Sequence, residues 1–350
     1  MAGPNRRAVT SYDVAKAAGV SQSAVSRAFT EGAKISAATK DKVKKVAAEL
    51  GYRPSFIAQS LINRRSNLIG IVVPGLMNPF YSAALDNLSH KLNLMGYRVL
   101  LFSMFRDDDT DPIMEEILRH RVEALILVSS SLSSHFDEEC RLLGLPVVLL
   151  NRKNDSETVS SVTSNNLAGG AAIAEFLIKA GHRQLAFIAG RDSSSTSRDR
   201  ETGFGQRISE MGAPAALRDA GMWTIEEAMN ATRRLMSLPK TPDALFCAND
   251  MMAIGALNVV VGEMGLKAGS DISVVGFDDI SMASWPLINL TTWVQPLTEM
   301  VDLTVSMIKS QLEDNEAEPV QHVLVGKLII RGSSRSIGGD IGKDTTLPNL

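Results

Sequence analysis

Gln22, Ser23, Ser26 and Arg27 fall within six residues of one another, interleaved with Ala24, Val25 and Ala28. At helical spacing the small apolar residues share one side and the amide, hydroxyls and guanidinium share the other. A short helix with a polar, cation-bearing outer face fits the DNA major groove. The residues before it supply a partner helix. Thr10 followed by Asp13 makes a capping box, Val14, Ala17 and Ala18 sit at helical spacing, Gly19 breaks the helix, and Ser21 caps the next one. The two helices and their tight turn read as a helix–turn–helix.

The charge of the chain is divided in the same place. Residues 1–66 carry twelve Lys/Arg against four Asp/Glu, a net +8, while the rest carries −11 within a total of −3. A basic head on an acidic body fits a polyanionic partner for the head alone. Ser36 caps a third helix, AATKDKVKKVAAEL, with Val43, Val46, Ala47 and Leu50 on one face and Gly51 at its close. Pro54 ends this head, and residues 55–67 read as a linker that becomes helical only when held.

Beyond Leu68 the pattern alternates apolar runs with amphipathic stretches. LIGIVVP (68–74), RVLLFSM (98–104), EALILVS (123–129), PVVLLN (146–151), LAFIAG (185–190), ALFCAND (244–250) and SVVGFDD (273–279) read as buried strands separated by helix-length segments. This is the rhythm of parallel sheets wound with helices on both faces, restarting after residue 162 as a second lobe. Ligands of such sheets bind beyond the carboxyl ends of the strands.

Several classes are disfavoured. No GxGxxG opens a βαβ unit, no P-loop occurs, and no Ser/His/Asp set can be placed. The five histidines are scattered without metal-ligand spacing, and Cys140 and Cys247 read as buried small hydrophobes. No cofactor or metal is expected. No export signal or membrane-length apolar run appears, so a cytoplasmic protein with no membrane partner is expected.

The ordered motifs YDVAKAAGVSQSAVSR, ISAATKDKVKKVAAELGYRPSFIAQSL, LIGIVVPGLMNPFY, GHRQLAFIAG, SRDRETGF, FCAND, ISVVGFDD and LTTWVQP together resemble the LacI/GalR family of bacterial transcription regulators. The resemblance runs from about residue 8 to 335. It implies an all-α helix–turn–helix head (1–54), a hinge helix (55–67), and a periplasmic-binding-protein-like core of two doubly wound parallel-sheet lobes (68–335). The N-lobe takes about 68–162 and 294–325, and the C-lobe about 163–293 and 326–335. A disordered tail follows (336–350). The implied activity is repression of transcription, with operator affinity switched by a small molecule in the core.

By the same resemblance, Gln22, Ser23 and Arg27 take base-reading positions. Thr10, Ser21, Ser26 and Lys40 position the phosphates, and Leu61 is a minor-groove wedge with Ala58 allowing close approach of two hinges. The operator is then double-stranded and pseudo-palindromic, read by a homodimer. The core positions are Phe80, Tyr81, Ser129, Thr196, Arg200, Trp223, Asn249, Asp278 and Gln295, a polar set with one indole that suits a sugar or polyol. Other readings stand beside these. Asp278, Asp279, Asn249 and Asp250 can cap helices, Arg200 can form a lobe-stabilising ion pair, Trp223 can simply pack, and the serine-rich runs 129–134 and 193–197 can be loops or phosphate sites. Dimerisation is expected through the N-lobe stripe Tyr81, Ala84, Leu85 and Leu88, the alternative being that the stripe packs only within its own sheet. The alternative function is a solute-binding protein for carbohydrate uptake, against which the basic helix–turn–helix counts.

Overall fold

The computed structural model describes residues 9–30, 32–53, 65–104, 111–130, 133–155, 158–314 and 317–336, with backbone alone for 111–114. Ala58, Leu61 and the segment 337–350 lie outside the described residues. The chain divides into two compact units, Met1–Ser66 and Asn67–Leu350.

In the first unit, helices α1 (Ser11–Ala18), α2 (Gln22–Phe29) and α3 (Ala37–Leu50) enclose a small core. The capping box is present: Asp13 N donates to Thr10 Oγ1 and Asp13 Oδ2 accepts the Thr10 N–H at 2.8 Å. Gly19 closes α1 at φ +63°, a conformation that costs glycine little. Val14, Ala15, Ala18, Val25, Ala28, Val43 and Ala47 are buried. Ala15 takes the inward position expected of Ala17, which is exposed. Leu50, the last residue of α3, is also exposed, because the head is too small to cover that helix's final turn.

The second unit holds two six-stranded sheets. The first takes β1 (Leu68–Val73), β2 (Arg98–Ser103), β3 (Ala124–Val128), β4 (Val147–Leu150), β5 (Ser160–Ser164) and β11 (Gln321–Leu324), ordered β11-β5-β4-β3-β1-β2 and parallel throughout. The second takes β6 (Leu185–Ala189), β7 (Leu217–Ala220), β8 (Ala244–Cys247), β9 (Ser273–Asp278), β10 (Thr291–Val294) and β12 (Lys327–Ile329), ordered β12-β10-β9-β8-β6-β7. Only β12 among these described strands runs antiparallel. The chain steps from the end of β11 straight into the other sheet, so it meets that sheet from the strands' carboxyl side and must run backwards.

Three segments cross between the lobes side by side. Asn165 N donates to Leu324 O at 2.7 Å, and a Cβ on Gly326 would stand 2.2 Å from Val294 O. Helices α4 (Pro79–Leu94) and α11 (Leu297–Glu313) cover one face of the first sheet; α5 (Asp111–Arg119) and α6 (Ser134–Leu142) follow β2 and β3. Ala84 and Leu88 of α4 are fully buried in that core and Tyr81 and Leu85 pack against it. The stripe expected to face a second subunit is therefore spent within its own lobe.

In the C-lobe, α7 (Asn166–Lys179) and α8 (Ser195–Glu210) meet backbone to backbone. Added methyl carbons would stand 2.2 Å from Arg200 O at Gly170 and 2.0 Å from Leu167 O at Gly203. Helices α9 (Ile225–Met236) and α10 (Asp250–Leu257) pack on the other face of the second sheet, where Ala228 and Met252 meet Ile188, while Phe204 of α8 meets Phe187 on the first face. Gly170→Ala must push α8 away and should cost about 1–3 kcal/mol, seen as a melting temperature lower by several degrees. Gly205→Ala, on the open side of α8 with nothing within 4 Å, should be neutral or slightly stabilising. Equal melting temperatures for the two variants would refute the close crossing.

Candidate functional site

The carboxyl ends of the two sheets face each other across a narrow cleft of about 10 Å³, room for about one water molecule. Asn78, Tyr81, Ser129, Asn151 and Arg152 line it from the N-lobe, and Thr196, Arg200, Trp223, Asn249 and Asp278 from the C-lobe. Four of the ten depart from ordinary backbone geometry. Ser129 (φ +54°), Asn151 (+60°), Trp223 (+66°) and Asp278 (+124°) are left-handed without being glycine. Each costs on the order of 1–3 kcal/mol, and such strain gathers where side chains must be aimed.

Arg200 is the deepest of them, 1% exposed. It lies in the second turn of α8, because the run Ser195–Ser197 is already helical. Its Nε donates to Asn166 Oδ1 at 2.8 Å and its Nη1 to Ala248 O at 2.5 Å. Nη1 lies 3.6 Å from Asp278 Oδ1, and the guanidinium carbon lies 3.6 Å above the Phe277 ring. Nη2 has no hydrogen-bond partner. Burial pulls the Arg200 pKa below its usual value while Asp278 pulls it back, yet a guanidinium stays charged.

Asp278 is the last residue of β9 and 7% exposed. Burial pushes its carboxyl above the usual range, against the pull of Arg200, Gln295 and Asn78. Gln295 does not line the cleft. It follows β10 and donates Nε2 to Asp278 Oδ1 at 2.6 Å, so it holds the carboxylate in place. Asp250 is also fully buried, taking Thr292 Oγ1–H at 2.5 Å and Ile280 N–H at 2.8 Å; burial raises its pKa and Asp278 adds to the rise.

Asn249 does two jobs. Its Oδ1 caps α10 by accepting the Met252 N–H at 2.9 Å, and its amide group lines the cleft. Trp223 packs its indole on Gly190, where a Cβ would stand 2.2 Å from Cε2, and its Nε1 has no partner. Thr196 and Ser129 line the cleft, with Ser129 Oγ accepting Asn151 Nδ2–H at 2.9 Å. Asn151 Oδ1 is left without a partner. Among the described residues that line the cleft, Arg200 Nη2, Trp223 Nε1 and Asn151 Oδ1 are buried without hydrogen-bond partners, which is chemistry for binding hydroxyls.

Phe80 stands outside this lining. It is 4% exposed and belongs to the apolar cluster of the C-lobe, where a phenyl ring gains more than it would in a polar cleft. Sequence reasoning missed Asn78, Asn151 and Arg152. Asn78 was visible as a cap before Pro79, and its side chain also hydrogen-bonds Asp278. The serine run 193–197 is ordered: Ser194 Oγ accepts Arg152 Nη2–H at 3.0 Å and Gly190 N donates to Ser197 Oγ at 3.0 Å.

Elsewhere, Ser273 Oγ lies 2.7 Å from His182 Nε2, with Asp243 3.6 Å from Nδ1, a set the sequence reading did not find. Ser273 is fully buried and already accepts Arg335 N–H, so the trio ties the segment around Arg335 to β9. Burial pushes the Cys140 thiol up to about 12 and raises that of Cys247, as inert core cysteines require. Among the described residues no cluster of three His, Cys, Asp or Glu could hold a metal ion, and no helix is long and apolar enough to cross a membrane.

On the head, Gln22, Ser23 and Arg27 are exposed along α2, as is Ser21; Thr10, Ser26 and Lys40 are half-buried. Gln22 Nε2 donates to Ser11 Oγ at 3.2 Å, Ser21 and Ser23 share a 2.9 Å hydroxyl contact, and Arg27 Nε donates to Ser23 O at 3.2 Å. These are weak, exposed bonds that a nucleic acid can replace.

Comparison with known proteins matches the family of periplasmic binding proteins and the sugar binding domain of the LacI family to residues 66–322, and the bacterial regulatory proteins of the lacI family to residues 10–55. The probable HTH-type transcriptional repressor ExuR of Bacillus subtilis is 29% identical, over 94% of this chain and 99% of its own. The HTH-type transcriptional repressor CytR of Escherichia coli is 30% identical, over 94% and 97%. The lac repressor dimer bound to operator and the anti-inducer ONPF has a TM-score of 0.83 at 28% identity, covering 94% of this chain and 100% of that one. The transcriptional regulator CelR in complex with cellobiose gives 0.71 at 27%, covering 93% and 100%.

The raised Asp278 carboxyl has a pH consequence. A folded-state pKa above the ordinary 3.8 means the native state holds the proton longer than the unfolded one. Asp278 therefore withdraws stability as pH rises from about 4 through its folded value. Compared with Asp278→Asn, the parent should lose ground in melting temperature between pH 4 and pH 7. A gap that stays constant or moves the other way would show that the carboxyl is not held up by burial.

Proposed function

Because the chain belongs to the LacI family of bacterial regulatory proteins, we propose that it is a sequence-specific transcription repressor whose grip on operator DNA is set by a sugar or polyol in the cleft of its core. One observation carries the reading. A basic helix–turn–helix keeps Gln22, Ser23 and Arg27 exposed in the same chain as two lobes that aim Arg200, Trp223 and Asn151 at one cleft with hydrogen-bonding atoms unspent.

In this reading α2 enters the major groove. Arg27 has the fork geometry to grip guanine O6 and N7, Gln22 pairs with adenine, and Ser23 contacts a base edge. Thr10, Ser21, Ser26 and Lys40 hold phosphates and set the register. The hinge segment 55–67 carries Leu61 as a wedge between base steps and Ala58 as the small residue at which two hinges meet. Two copies of the chain read a pseudo-palindromic site, as a two-fold dimer requires.

The effector lies between the lobes. Asp278 accepts hydroxyls, Arg200 and Trp223 donate to ring or hydroxyl oxygens, and Asn249 and Asn151 offer amide groups. The reading gives the cleft binding and no catalysis. A change in lobe spacing alters the separation of the paired hinges, and with it operator affinity.

Gel shift of the full chain on genomic fragments at two salt concentrations tests the proposal. Selective binding that falls steeply with salt is expected. Arg27→Ala should lose about 1–3 kcal/mol of discrimination at one base pair of each half-site while retaining the other preferences. An unchanged site-preference profile would remove Arg27 from base reading, and the absence of any selective fragment would favour a solute-binding role.

A further inference from the structure

The two lobes are tied together on one side of the cleft by contacts that involve no ligand. Loop residues 152–155, between β4 and β5, face the first turns of α8. Arg198 Nη2 meets both carboxylate oxygens of Asp155, at 2.7 and 3.0 Å. Lys153 Nζ lies 3.1 Å from Asp199 Oδ2, and the Lys153 N–H reaches Ser195 Oγ at 3.3 Å. The Arg198 guanidinium is pre-aimed, because its Nη1 donates to Asp192 O and Ser193 O, each at 3.1 Å. Lys153, Asp155 and Arg198 also line a second hollow of about 130 Å³, together with Ser130, Leu149, Asn154 and Ser193. Arg152 lines both this hollow and the cleft.

We propose that the crossed pairs Arg198–Asp155 and Lys153–Asp199 form an electrostatic gate over the mouth of the cleft, with the hollow behind it as the passage a ligand takes. The pairs suit a gate better than a permanent weld. Their side chains are 24–79% exposed, so each is worth little and yields to salt. The charges alternate, with a cation and an anion on each side, so the lobes attract only in register. Opening exposes Arg152, which donates to Ser194 from the opposite lobe. The gate rests on the proposed cleft for its purpose, but its opening is measurable without operator or effector.

Trp223 lines the cleft and reports on access to it. In full-length protein carrying Trp285→Phe, which removes the exposed indole, Trp223 and the buried Trp293 remain. Acrylamide quenching should rise about two- to fivefold in Asp155→Arg and in Lys153→Glu, and in the parent between 50 mM and 0.5 M salt. The charge swap Asp155→Arg with Arg198→Asp should return it toward the parental value. Quenching that ignores salt and both single variants would overturn the gate, as would a swap that quenches as strongly as Asp155→Arg alone. Failure of operator binding would leave this outcome untouched, so the gate and the repressor reading fail separately.

Discussion

Arg200 carries a full positive charge into a place that water barely reaches. Removing such an ion from water costs several kcal/mol, recovered only if good partners surround it. The architecture of the C-lobe can be read as that set of partners: Asn166 at the start of α7, Ala248 O beyond β8, Asp278 at the end of β9, and the Phe277 face below. Gly170 and Gly203 let α7 and α8 approach until Asn166 can reach the guanidinium. Asp278 takes a strained backbone to face it. What remains is Nη2, buried without a hydrogen-bond partner among the described residues on a side chain that lines the cleft.

The same economy holds across the lobes. Each wall spends most of its hydrogen bonds inside the protein and keeps one or two atoms aimed at the cleft. Ser129 and Asn151 hold each other on the N-lobe wall, leaving Asn151 Oδ1 over; Asn249 spends its oxygen on a helix cap. Lobe movement is limited to three crossings packed so tightly that Gly326 admits no side chain.

The head follows other rules. Its core is a handful of alanines and valines, so it has little burial to spare and keeps its polar residues outside. Among its described cations Lys16, Arg27, Lys34, Lys42, Lys44, Lys45 and Arg53 are exposed. The weak bonds of Gln22 and Arg27 to neighbouring groups orient these side chains at little cost to exchange.

Much of this was legible in residue types alone. Caps at Thr10, Ser21 and Ser36, the breaks at Gly19 and Gly51, and the apolar runs of β1, β3, β4, β6, β8 and β9 mark themselves by local chemistry. Strand β5 did not, because its serines look exposed until Gln311, Val320 and Gln321 satisfy their hydroxyls. Phe80 and the Ala84–Leu88 stripe looked like surface for a ligand and a partner, and burial claimed both. The sequence by itself determined the element order, the basic head and most of the polar set at the strand ends, since each depends on neighbours a few residues away. Only the tertiary structure decided which polar atoms stay unpaired in the cleft, that Asn78, Asn151 and Arg152 join it, and that 152–155 meets α8, because those outcomes depend on groups brought together from distant parts of the chain.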